Sequence, residues 1–143
     1  MYCRYASITV KDFSEVVMEH HYPFLDALLL SYPGAMHDFK AEWGWDRYMV
    51  GGKMYAALCL PGPEHAFYGG HPLLTVKCEP ALGECLRAQY PDIHPGFYCN
   101  KQHWLSIFLD GSVPEEEIRR LCQNSYQLIF SSLSKKAQRE ILG

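Results

Sequence analysis

The sequence predicts an α+β fold, a two-layer sandwich whose mainly antiparallel sheet carries its helices on one face. Three observations predict it. Residues 37–43 alternate: His37, Phe39, Ala41 and Trp43 fall on a mostly apolar side, and Asp38, Lys40 and Glu42 on a charged one. Gly51-Gly52 separates two strand-like runs, and a two-residue turn with positive φ at both positions closes an antiparallel hairpin. Ile118, Leu121, Cys122, Ser125, Leu128 and Ile129 recur at helical spacing, which gives a long helix one inward stripe.

The elements follow in order. Residues 5–10 have strand-like composition, and Ser14 is placed to cap a short helix with Glu15 and Glu19. Pro23 stops that helix, because its ring removes a donor and crowds the preceding turn. A second helix starts there, with Phe24, Leu25, Leu28 and Leu29 on one face, and Pro33-Gly34 ends it. The alternating strand comes next, then a turn at Trp43-Gly44-Trp45-Asp46. Strands at Arg47–Val50 and Lys53–Leu60 flank the glycine hairpin.

Residues 61–72 hold three prolines and three glycines, and they read as a loop long enough to serve a function. Leu73–Cys78 is a fourth strand. Pro80 opens a helix with Leu82, Cys85 and Leu86 on one side, which stops before Pro91. Residues 91–103, with Pro91, Pro95 and Gly96, read as a second ordered loop. Trp104–Leu109 is a fifth strand and Asp110-Gly111 a turn. Ser112 and Glu115 have capping-box spacing before a helix that runs to about Leu133. Ser134 then opens a short basic amphipathic tail with Lys135, Lys136 and Arg139. With no internal repeat and no linker, the chain divides into a 1–22 segment of open role and one domain over 23–143.

A chain of 143 residues is long enough for one real core, and 48% apolar with 20% charged residues excludes a disordered chain. The longest apolar run, Met54–Leu60, falls far short of the roughly 20 residues that span a bilayer. The N-terminal residues lack a signal-peptide pattern, so a cytoplasmic location with no membrane partner is expected. A net charge of −3 weighs against a dedicated nucleic-acid protein but leaves room for a local basic patch. The six cysteines include no Cys-x-x-Cys and are expected as reduced thiols.

Enzyme signals are weak. There is no Gly-x-Ser-x-Gly, no His-Glu-x-x-His, no P-loop and no dinucleotide fingerprint, so no catalytic residue and no cofactor is expected. Glu115, Glu116 and Glu117 sit at a helix start, where carboxylates offset the dipole. His94, Cys99 and His103 share one loop and are chemically suited to zinc, but their spacing matches no zinc module. The cluster Asn100-Lys101-Gln102-His103-Trp104 is richer. Lys101 can grip a phosphate while Trp104 stacks a base. The plainer reading has Trp104 anchoring the strand in the core and Asn100 tying the loop by hydrogen bonds.

At these residues the chain resembles the MmcQ/YjbR family. The resemblance runs through Pro33-Gly34-Ala35, Trp43-Gly44, Gly52-Lys53-Met54-Tyr55-Ala56, Val76-Lys77-Cys78, Tyr90-Pro91 and Pro95-Gly96. It continues with Asn100-Lys101, His103-Trp104, Leu109-Asp110-Gly111, Val113-Pro114 and Ser125-Tyr126, covering about residues 24–140. It implies a CyaY-like (frataxin-like) sandwich and DNA binding through a double-wing arrangement of hairpins. Iron binding does not follow from fold kinship, and the 24–31 helix carries only Asp26 where an acidic ridge would need more.

Two functions stand side by side. The first is a nucleic-acid-binding module, of low and salt-dependent affinity, with Arg47, Lys53, Lys77, Asn100, Lys101, His103 and Trp104 as its contacts. The second is a small-ligand or protein-interaction module that uses the 61–72 and 91–103 loops, a role that ten tyrosines and three tryptophans would suit. An enzyme with His103 as general base lacks an evident orienting partner.

Overall fold

The computed structural model describes residues 23–143. The expected strand over 5–10 and the helix opened by Ser14 lie outside them. Helix α1 (Leu25–Leu30) is followed by strands β1 (Met36–Lys40), β2 (Trp45–Val50), β3 (Lys53–Cys59) and β4 (Leu73–Lys77). Helix α2 (Pro80–Gln89), strands β5 (Ile93–Pro95) and β6 (Trp104–Phe108), and helices α3 (Glu115–Ser131) and α4 (Lys135–Leu142) complete the order. The six strands form one sheet, β1-β2-β3-β4-β6-β5, with every pairing antiparallel. No helix among the described residues is long and apolar enough to cross a membrane.

Strand side chains alternate between two faces, and each face has its own core. On one, Tyr48, Val50, Ala56, Leu58, Leu74, Val76, Leu105 and Ile107 meet all four helices. Leu25 and Leu29 come from α1, Leu86 from α2, Ile118, Leu121, Cys122 and Ile129 of the predicted stripe from α3, and Ala137 and Ile141 from α4, while Tyr126 joins the cluster and Leu128 of the stripe stays outside it. The sandwich with helices on one face is therefore as the sequence predicts. The opposite face carries a smaller cluster of Trp45, Ala57, Cys59, Leu73, Phe97 and Phe108, covered by loop residues Tyr68 and Cys99. The two proline-rich loops thus do for this face what helices do for the other.

The glycine hairpin closes as predicted: Val50 pairs with Lys53 across Gly51 at φ 57° and Gly52 at φ 80°. Beyond it the register slips by one, since Tyr48 pairs with Ala56 but Met49 with Met54. Tyr55 is the extra residue, and the bulge sends both Tyr55 and Ala56 into the helix-side core.

The structure corrects the reading at five places. On α2 the buried residues are Gly83 and Leu86, whereas Leu82 and Cys85, read on the same side as Leu86, are exposed. The first strand ends at Lys40, and the turn lies over 41–44, where Gly44 at φ 70° returns its N–H to the Lys40 carbonyl. Trp45 and Asp46 therefore belong to β2, paired with Lys40 and Phe39. β1 is an edge strand, so Phe39 stays exposed instead of joining a core, and Trp43 is exposed in the turn. The 91–103 loop contains β5, too short for its period to show in sequence. The capping box does not form: Pro114 takes the cap position of α3, and Ser112 gives its N–H and hydroxyl to Asp92. Ser134 does cap α4, accepting from the Ala137 N–H.

Candidate functional site

The register places the chemistry. The Gly51-Gly52 turn, the end of β4 at Lys77 and the start of β6 at Trp104 lie at one end of the sheet, since Lys77 pairs with Trp104. Lys77 and Trp104 point to the loop-covered face. Lys53 pairs with Val50 and so points to the helix side, where its Nζ donates to Ser132 Oγ at 3.2 Å. Helix α4 arrives at the same end, because a Cβ on Gly51 would touch Leu133 and one on Gly34 would touch Ile141.

The sequence-nominated residues divide into three groups. Lys53, Lys77, Lys101, His103 and Trp104 ring the hairpin end, although not on one face. Lys101 Nζ donates to the Gly96 carbonyl at 2.6 Å, which keeps its charge at the surface of the loop. His103 is exposed and Trp104 is half-buried, outside both cores. Asn100 does the plainer job: its Oδ1 accepts the N–H groups of Gln102 and His103, and its carbonyl accepts from Trp104. Arg47 stands apart. It sits mid-strand on the loop face, donates twice to Asp38 at 2.8 and 2.7 Å and lies over the Trp43 ring. That contact holds the Asp38 carboxyl below the usual carboxylate range and raises Arg47.

Charge separates along the strands. Among the described residues Lys53, Lys77, Lys101, Lys135, Lys136 and Arg139 form no salt bridge, nor does Arg87 on α2, whereas Lys40, Arg47, Arg119 and Arg120 each do. Glu79 and Glu140 are carboxylates of the hairpin end, with Glu79 accepting from Asn124. The other end of the sheet carries Glu42, Glu64, Asp92, Asp110 and the Glu115–Glu117 run.

A second assembly joins the two loops that the sequence nominates together as an interaction module. Loops 61–72 and 91–103 dock on each other: the Tyr68 hydroxyl donates to the Pro95 carbonyl at 2.6 Å, and His65 meets Phe97 and Tyr98 edge-on. His71 stacks flat on Phe108 at 4.1 Å and its Nδ1 donates to the Asp110 carboxylate at 2.9 Å, while His94 packs against Phe67 and Phe108. Burial lowers the His94 pKa, His71 adds to the shift, and Asp92 opposes it. Tyr98, at φ 56°, is the positive-φ non-glycine among the described residues, and its ring is 72% exposed. The signal available in sequence was the aromatic and histidine density of 65–71, which periodicity does not report.

The zinc reading finds no geometry. No three His, Cys, Asp or Glu side chains among the described residues gather around one point. Burial pushes the Cys99 thiol up to about 11, far from a ready thiolate ligand, although Lys101 pulls the other way.

The YjbR family model matches residues 30–128, which contain the whole sheet and most of α3. The chain belongs to the YjbR family. It is 29% identical over 107 residues to the uncharacterized protein YjbR of Escherichia coli (strain K12), covering 75% of this chain and 85% of that one. It is 34% identical over 85 residues to the uncharacterized protein YyaQ of Bacillus subtilis (strain 168), covering 57% and 71%. The crystal structure of Deinococcus radiodurans protein DR2400, a DUF419 domain, superposes with a TM-score of 0.70 at 28% identity, covering 82% of this chain and 84% of that one. A Pseudomonas syringae protein superposes with a TM-score of 0.60 at 27% identity, covering 74% and 95%. In this YjbR-family chain the hairpin end and the docked loops are two features of one α+β domain, joined by the 91–103 loop that carries Lys101 and His103.

Proposed function

We propose that this YjbR-family domain is a binding module for nucleic acid, not an enzyme, and that it works in the cytoplasm. The observation that carries the reading is the set of cations at the hairpin end without carboxylate partners. Lys53, Lys77 and Lys101 ring that end beside α4, and the half-buried Trp104 and exposed His103 lie next to them. Lys53 and Lys101 have only neutral oxygens, Ser132 Oγ and the Gly96 carbonyl, to leave before they neutralise a phosphate, and an aromatic face beside them stacks a base. Arg47 contributes least, because its guanidinium is already held by Asp38. The turns at 41–44 and 51–52 lie at opposite ends of β2, so the contact is an end of the sheet and not a pair of adjacent wings.

The test is fluorescence anisotropy with a labelled single-stranded and a labelled duplex oligonucleotide at two salt concentrations. Wild type binds both, more weakly at the higher salt. Combining Lys53→Ala, Lys77→Ala and Lys101→Ala removes most binding and lowers the duplex salt slope by about 0.9 for each phosphate that is no longer neutralised. Absence of salt-sensitive binding by wild type overturns the reading.

A second reading is favoured by the docking of the 61–72 and 91–103 loops. A fixed aromatic surface with Tyr98 and Phe67 exposed suits a protein or small-ligand partner. It would survive the loss of the first, and Tyr98→Ser with Phe67→Ser would then abolish partner binding and leave the helix-side core intact.

A further inference from the structure

Strand β1 ends the sheet, and none of the described elements pairs with its outer side. Its side chains are largely exposed, Phe39 by 43%. The backbone alternation is fixed by the turn. The Lys40 carbonyl is turned inward, accepting from Trp43 and Gly44 at 3.0 and 2.9 Å, so the N–H and C=O groups of Phe39 and His37 point to the free edge. Proteins usually blunt such an edge with charge. Here the charges are one acid and one base, Asp38 and Lys40, two positions apart on the loop-covered face.

We propose that β1 pairs antiparallel with β1 of a second copy about a two-fold axis at Phe39. A two-fold axis perpendicular to a sheet keeps each face on its own side, so only registers centred on a residue are allowed. Centring on Asp38 sets two carboxylates opposite each other, and centring on His37 sets Asp38 opposite Met36. Centring on Phe39 sets Asp38 opposite the other copy's Lys40 twice over. It also lets the two Phe39 residues exchange both backbone hydrogen bonds and pair their rings. Asp38 is held by Arg47 through both oxygens, yet its side chain remains 49% exposed, so a second cation can reach it without that pair breaking. Lys40 has only a loose contact with Glu42 at 4.0 Å and the Trp43 ring to leave. The same charges that repel a strand in the wrong register therefore select one partner, a second copy of this chain. Because the paired strand is short, the dimer is of the small, reversible class. The axis keeps both loop-covered faces on one side of a continuous sheet.

Sedimentation equilibrium over a hundred-fold range of protein concentration tests this. Wild type passes from monomer toward dimer. Lys40→Asp leaves Asp38 facing a second carboxylate and stays monomeric, and Asp38→Lys does the same with two ammonium groups. Mixing the Lys40→Asp chain with the Asp38→Lys chain restores a heterodimer, since both cross-strand pairs are then opposite in sign. Should breaking the Arg47 ion pair unfold the Asp38→Lys chain, Phe39→Cys decides alone. Mild oxidation then gives an intermolecular disulfide at position 39, mapped by peptide mass spectrometry, and His37→Cys gives none at position 37. Wild type that stays monomeric throughout, a dimer unchanged by Lys40→Asp, or no crosslink at position 39 overturns the proposal.

Discussion

The Ser125 hydroxyl donates to the Tyr55 carbonyl at 2.6 Å and accepts the Lys77 N–H at 2.8 Å. At the bulge, where the β3 register slips, a helix side chain thus stands in for a ladder hydrogen bond between β3 and β4. Ser125 is fully buried, so no water waits to replace it. Ser125→Ala leaves two backbone groups without partners, each costing about 1–3 kcal/mol. Urea unfolding of the variant checks this, and a change within about 0.5 kcal/mol, typical of a surface substitution, would count against it.

The two hairpin glycines separate conformational strain from crowding. Both have positive φ, which costs an L residue roughly 1–2 kcal/mol. A Cβ on Gly52 meets open space, whereas one on Gly51 comes to 2.6 Å from a methyl of buried Leu133. Gly51→Ala is therefore expected to lower the melting temperature more than Gly52→Ala, and Gly52→Asn to be the mildest of the three.

His94 makes stability sensitive to acid. Burial between Phe67 and Phe108 lowers its pKa from 6.5, with His71 adding to the shift and Asp92 opposing it. The unfolded chain therefore takes up the proton first as pH falls. The stabilisation is fully present above about 6.5 and is lost as pH drops through the lower folded value. His94→Gln removes this component, so its melting temperature falls less than that of wild type from neutral to mildly acidic pH. Parallel curves for the two proteins would sink the assignment.

Trp104 and Leu105 are neighbours with opposite fates. Leu105 is buried in the helix-side core, and Leu105→Ala is expected to cost about 2–5 kcal/mol. Trp104 lies half-buried over Gly96, where a Cβ would come to 2.7 Å of its own Cβ. Trp104→Ala therefore falls below the roughly 3–5 kcal/mol of a core tryptophan, and the variant stays folded enough for its nucleic-acid affinity to be measured. Differential scanning calorimetry of both variants checks the order.

The helix side of the sandwich was legible because its signals are periodic. The Ile118–Ile129 stripe, the Gly51-Gly52 turn and the opening of the basic tail at Ser134 all rest on local signals, and the structure realises each, Leu128 of the stripe apart. The edge position of β1 was not legible, because alternation in 37–43 describes a strand and says nothing of how many neighbours it has. The same limit hid β5, whose three residues are defined by pairing with β6 alone. Of the nominated site, the sequence placed Lys101, His103 and Trp104 together because they are adjacent in the chain. Setting Lys53 and Lys77 beside them, and Arg47 apart, took the strand register. The sequence offers His94 only as a zinc ligand and Asp110 only as a turn residue, and their grouping with His71 stays hidden because the three come from segments that only folding brings together.

A sheet with a separate core on each face can come apart in stages. The loop-covered layer is held by a few rings, the Tyr68–Pro95 bond and the Ser106 hydroxyl, which accepts the Phe97 N–H at 2.9 Å. The helix layer is held by a far larger apolar cluster. Amide protons of residues 61–72 and 96–103 should therefore exchange with solvent through a partial opening that leaves α3 and the central strands protected. Substitutions confined to the two loops are therefore expected to alter that surface while the helix side keeps the chain folded.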